Sequence, residues 1–110
     1  MNLDLSKIKK VFFIGIGGIG ISALAKMALS RGMEVSGVND DESPKTLDPL
    51  RELGVKIFFL PDLPAEALAE ERADLYVYSD AWLNRGPEII QSAQKTGKPV
   101  LSYFKALGQF

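Results

Sequence analysis

Residues 15–25 read GIGGIGISALA, and four of the first six are glycine. Glycine inside a regular element costs about 0.5–1 kcal/mol relative to alanine. A chain that sets four of them against a helix-like pattern needs bare backbone there. Upstream stands KVFFI, residues 10–14, a continuous apolar run that suits a strand buried on both faces. Downstream, Ile21, Leu24, Ala25, Ala28 and Leu29 recur at helical spacing, with Ser22, Lys26, Ser30 and Arg31 on the other side. Gly32 stands where a left-handed cap would stop that helix.

The alternation continues along the chain. Residues 34–38 (EVSGV) read as a second strand, and the acidic NDDESPKTLD after it as a loop interrupted by Pro44 and Pro49. Asp48 before Pro49 reads as a cap and first helical residue, giving a short helix over 49–53 that ends at Gly54. Residues 56–60 (KIFFL) form a third strand, 64–71 a helix and 75–78 (LYVY) a fourth strand. Residues 87–96 form a helix followed by Gly97, and 100–102 a short fifth strand. Connections this short admit right-handed crossovers. The expected fold is α/β: a Rossmann-like, doubly wound, five-stranded parallel sheet in the order 3-2-1-4-5.

The totals suit one domain over residues 1–110, with 46% hydrophobic and 25% charged residues. A net charge of −1 makes no electrostatic case for nucleic acid or an acidic membrane face. Cysteine and histidine are absent, which removes disulfides, thiolate nucleophiles, imidazole bases and the usual zinc sites. This fits a reducing cytoplasm. The opening MNLDLSKIKK does not read as a signal peptide, and the apolar run from Val11 is too short and too rich in glycine to span a bilayer. The final YFKALGQF starts an amphipathic pattern and stops, so the chain reads as cut from something longer.

Gly15, Gly17 and Gly20 satisfy GxGxxG between a strand and a helix, with Gly18 as a fourth glycine. The first permits a tight turn, the second lets a ligand approach the backbone, and the last lets the helix press on the strand. The free amides of the helix's first turn then favour an anion, and a diphosphate fits. The competing reading is that the glycines only allow close packing, which accounts for Gly20 but not for the other three. On this assignment Gly17→Val is expected to abolish diphosphate binding at a modest stability cost.

The crevice beside this turn collects further candidates. Asn39 and Asp40 follow the second strand, near where a dinucleotide site places an acid on a ribose. Ser79, Asp80 and Ala81 follow the fourth, where a local turn or helix cap is the alternative. Asp41 and Glu42 read as solvated loop. Trp82 either covers a base or sugar or packs, and Tyr76 and Tyr78 read as sheet core. No catalytic constellation, no metal-ligand set and no GxxxxGK[ST] phosphate loop emerges. On these residues alone the chain binds something without obviously transforming it, and a nicotinamide-type dinucleotide binder and a domain that has lost its ligand and serves assembly or regulation both stand open.

FIGIGGIGISALA (13–25), EVSGVND (34–40), VYSDAWLNRGPEI (77–89) and GKPVL (97–101) together resemble the N-terminal domain of the Mur ligases of peptidoglycan synthesis. The similarity is greatest to the branch that joins L-alanine to UDP-N-acetylmuramate. It runs from about Lys10 to the end of the chain. The resemblance implies a three-domain ligase whose first domain holds the UDP part of the UDP-sugar, with ATP and magnesium bound by the central domain. It implies no cofactor in this domain, no activity for this domain alone, and a cytoplasmic location. It assigns Gly15, Gly17, Gly18, Ile19, Gly20 and Ser22 to the diphosphate, and places Asn39, Asp40, Ser79, Asp80 and Ala81 near the uridine and sugar. The family's Gly-Ser-Asp at the second strand end is Gly37, Val38 and Asn39 here, with Asp40 next. Its Gly-His after the third strand is Leu60 and Pro61, and its Ser-Ser-Ala after the fourth is Ser79, Asp80 and Ala81.

Overall fold

A computed structural model describes residues 3–42, 45–60, 62–63 and 66–110. Five strands form one sheet: β1 (Lys10–Ile14), β2 (Glu34–Asn39), β3 (Lys56–Phe59), β4 (Leu75–Tyr78) and β5 (Val100–Ser102). Every pairing is parallel and the order is β3-β2-β1-β4-β5, as the alternation predicts. The helices are α1 (Ile19–Ser30), α2 (Leu47–Glu52), α3 (Ala67–Glu70), α4 (Trp82–Arg85), α5 (Pro87–Lys95) and α6 (Tyr103–Gln109). A 3-10 turn at Leu5–Lys7 precedes β1.

β1 is central, and its side chains alternate between two apolar layers. Val11 and Phe13 join Leu24, Ala25 and Ala28 of α1, Leu47 and Leu50 of α2 and Ala106 of α6. Phe12 and Ile14 face the other way, onto Leu68 of α3, Trp82 of α4 and Ile89, Ile90 and Ala93 of α5. Each fully buried Phe, Leu or Ile of this kind contributes about 1.5–3 kcal/mol. Burial on both faces is why β1 reads as an unbroken apolar run.

Several boundaries differ from expectation. β2 extends through Asn39, which pairs with Phe59, and β3 stops at Phe59 rather than residue 60. α2 begins at Leu47, so Asp48 lies inside its first turn instead of capping it. Leu47 and Leu50 are both fully buried, and seating this i, i+3 pair draws the helix start forward. Pro49 is tolerated because first-turn amides have no intrahelical partner to lose. α3 is described as Ala67–Glu70, while Pro64 and Ala65 of the expected helix lie outside the described residues, as does Pro61. α5 ends at Lys95, one residue early. α4 was not foreseen; four residues are too few to show a period.

Among the described residues, no helix is long and apolar enough to cross a membrane.

Candidate functional site

The polypeptide leaves β1 through a turn that needs glycine at its first position. Gly15 has φ +85°, a conformation that side chains other than glycine's adopt only with strain. The Gly15 and Ile16 amides both donate to the Val38 carbonyl, at 2.8 and 3.1 Å, tying the turn to the end of β2. Gly18 donates back to the Gly15 carbonyl at 3.1 Å.

Gly17 is held from both sides. Its amide donates to Asn39 Oδ1 at 3.1 Å, and its carbonyl accepts from Thr46 Oγ1 at 2.5 Å. A Cβ on Gly17 would stand 2.6 Å from Asn39 Nδ2. The close approach at this glycine is therefore made by the protein's own Asn39. Gly17→Val, expected from the sequence to be structurally mild, collides with Asn39.

α1 begins at Ile19, and its first helical bond runs from the Ser22 amide to the Gly18 carbonyl at 2.9 Å. The amides of Ile19, Gly20 and Ile21 precede that bond and have no partner among the described residues. They form the positive end of a 12-residue helix. Gly20 is bare for a reason other than strand packing: a Cβ there would stand 2.8 Å from the Tyr103 ring of α6. Close contact with protein atoms therefore accounts for Gly15, Gly17 and Gly20, two more than the sequence reading allowed. Gly18 differs, since a Cβ on it would meet Ile21 Cγ2 at 3.1 Å but no other side chain within 4 Å.

Two hollows flank this turn. A cavity of about 350 Å³ spans the C-terminal ends of β1, β2 and β4, and its lining includes Gly17, Gly18, Asn39, Asp40, Ala81 and Arg85. A groove of about 210 Å³ runs along Gly18, Ile19, Gly20 and Ile21, facing Asp80 and Phe104. Gly18, Ser79 and Ala81 border both. This is the crevice where the strand order reverses, the usual ligand position in such sheets. A larger hollow, about 520 Å³ beside β5 and α6, shares no residue with the glycine turn.

The candidates divide accordingly. Gly15, Gly17, Gly18, Asn39, Asp40, Ser79 and Ala81 line the cavity, and Ile19, Gly20 and Asp80 line the groove. Ser22 lines neither; it is buried and its hydroxyl donates to the Ile19 carbonyl at 2.9 Å. Trp82 is 1% exposed and packs against Gly15 and Gly86, which settles it as a packing residue at the cavity wall. The Ser79 and Asp80 carbonyls accept from the Trp82 and Leu83 amides, so this segment makes the turn into α4. Sequence reasoning missed Arg85 and Thr46. Arg85 Nη1 lies 3.4 Å from Asp40 Oδ2 and supplies the cavity's cation. The only available signal for Thr46 was its type, a hydroxyl residue just ahead of a helix.

A model described as Mur ligase family, catalytic domain, matches residues 10–110. The chain belongs to the Mur ligase family. The UDP-N-acetylmuramate–L-alanine ligase of Chlorobaculum parvum is 36% identical over 107 residues, which is 97% of this chain and 22% of that protein. The enzyme of the same name from Coxiella burnetii is 41% identical over 95 residues, 86% of this chain and 19% of its own length. Among solved structures, the UDP-N-acetylmuramate-alanine ligase of Thermotoga maritima superposes with a TM-score of 0.70 at 35% identity, covering 89% of this chain and 21% of that one. The UDP-N-acetylmuramate:L-alanyl-gamma-D-glutamyl-meso-diaminopimelate ligase of Neisseria meningitides gives 0.76 at 31%, covering 93% and 31%. This Mur-family chain thus spans about a fifth of the length of the curated relatives it matches. Among its described residues, no group of three or more acidic side chains could hold a metal ion.

Proposed function

We propose that this Mur-family chain binds the diphosphate of UDP-N-acetylmuramate, as the N-terminal domain of an ATP-dependent, cytoplasmic UDP-N-acetylmuramate–L-alanine ligase of peptidoglycan synthesis. The observation that carries the reading is the row of unpartnered amides at Ile19, Gly20 and Ile21, at the head of α1 and along the groove. Such amides and the helix dipole together favour an anion. Gly18, which borders both hollows, lies beside them. Asp40, Ser79 and Ala81 then surround the nucleoside or sugar, Arg85 offers the diphosphate a cation from the cavity side, and Asp80 stands at the groove rim. ATP and magnesium belong to the rest of the ligase, and the isolated chain is inactive.

The nicotinamide reading is weaker. Its ribose-binding acid would stand at the end of β2, where Asn39 is neutral, buried and bonded to the protein itself.

An amide-shift titration tests the proposal. UDP-N-acetylmuramate and UDP are expected to move the Ile19, Gly20 and Ile21 resonances to saturation, ahead of NAD and ATP. Saturation by NAD alone, or silence with all four, overturns it.

A further inference from the structure

Asn39 stands where an ordinary dinucleotide domain would offer a side chain to its ligand, yet both ends of its amide are engaged. Oδ1 accepts from the Gly17 amide at 3.1 Å, and Nδ2 donates to the Asp41 carbonyl at 2.7 Å. Chemistry sets this orientation, since the Gly17 N–H needs an acceptor and the Asp41 carbonyl a donor. The residue is 4% exposed. From the connection that follows β2, Thr46 donates its hydroxyl to the Gly17 carbonyl. Thr46 occupies the N-cap of α2, where its side chain would ordinarily serve that helix, but it makes no cap bond. Asn39 at the end of β2 and Thr46 at the cap of α2 thus hold the amide and the carbonyl of one residue, and so the two successive peptide units that meet at Gly17.

We infer that Asn39 and Thr46 are positioning residues that clamp Gly17, so that the Gly17 amide is reserved for the protein and anion recognition passes to Ile19, Gly20 and Ile21. The clamp fixes where Gly18 and the head of α1 point. It also couples the end of β2 and the cap of α2 to the glycine turn, 22 and 29 residues away in sequence. The glycine at position 17 is required by Asn39, whose Cγ would lie 2.9 Å from a Cβ there. The part of the inference that concerns the anion rests on the proposed diphosphate site; the clamp itself does not.

The 110-residue chain tests this in two arms. Without ligand, hydrogen exchange of the Gly17 amide is measured in wild type, Asn39→Asp, Asn39→Leu and Thr46→Val. Asn39→Asp keeps the acceptor and is expected to retain protection. Asn39→Leu keeps bulk but no acceptor, and protection should fall about fivefold or more, the effect of one lost hydrogen bond. Thr46→Val should loosen it less. Equal Gly17 exchange in wild type and Asn39→Leu, with the remaining amides still protected, overturns the clamp. A misfolded Asn39→Leu is replaced by the pair Gly17→Ala and Gly17→Ala/Asn39→Ala: the second change should restore stability lost to the first, and additive losses overturn the clamp.

In the second arm, UDP is titrated into wild type and Asn39→Asp. Ile19, Gly20 and Ile21 are expected to shift while Gly17 stays protected in both. UDP that deprotects Gly17 overturns the assignment, because Asn39 would then be a plug displaced by ligand. Protection that depends on Asn39 as expected, in a chain that ignores UDP, defeats the diphosphate reading and leaves the clamp standing.

Discussion

Gly15 and Trp82 meet at the floor of the crevice: a Cβ built on Gly15 would stand 2.5 Å from Trp82 Nε1 and 2.6 Å from Cδ1. The turn after β1 and the helix after β4 are thereby fitted to each other across the point where the sheet reverses order. Gly15→Ala combines left-handed strain with steric overlap. It is expected to lower stability by about 2–4 kcal/mol, read from the denaturant midpoint. A loss under about 1 kcal/mol would show that this contact is not tight.

Trp82 is the chain's one tryptophan, so its emission reports on this contact alone. Trp82 borders the larger cavity with Gly17 and Arg85. Saturating UDP should change its emission in wild type, and the titration midpoint should match that of the Ile19 and Gly20 amide shifts. Two different midpoints would separate the cavity from the α1 amides.

Arg85 can leave Asp40 for an incoming phosphate. The pair is solvent-exposed, with side-chain exposures of 60% and 37%, and pairs of this sort contribute little to folding. Arg85→Ala should leave the unfolding midpoint nearly unchanged, within about 0.5 kcal/mol. Its UDP affinity should drop about threefold or more and depend less on salt. A salt dependence equal to that of wild type would place the ligand away from this guanidinium.

Tyr76 gives the fold an alkaline limit. Burial raises its phenol pKa above the ordinary value of about 10, opposed by hydrogen bonding. The hydroxyl donates to the Leu68 carbonyl at 2.6 Å. In the unfolded chain the phenol ionises near pH 10, while the folded one stays protonated. The native state therefore binds more protons above that pH, and stability falls as pH rises through and beyond it. Below about pH 10 the contribution is complete. Tyr76→Phe should cost about 1 kcal/mol at neutral pH and flatten the alkaline limb of the stability curve. An unchanged alkaline limb would assign that slope to another group.

The sheet was readable because its signals are local. KVFFI, KIFFL and LYVY are short apolar runs between turn residues, and the glycine turn marks where β1 hands over to α1. The turn into α4 was harder: Trp82 is buried like a core residue but begins a helix too short to show a period. The start of α2 moved because burial of Leu47 outweighed the capping chemistry of Asp48.

The amino-acid order by itself determined the alternation of strands and helices and the place of the glycine turn, since each follows from neighbours a few residues apart, and the sheet order then follows from the way such alternations wind. Tertiary structure alone decided what each glycine accommodates. Gly15 makes room for Trp82, Gly17 for Asn39 and Gly20 for Tyr103, partners between 22 and 83 positions away in the chain. A motif reports that side chains are missing; only the folded packing shows whether ligand or protein occupies the space they vacate.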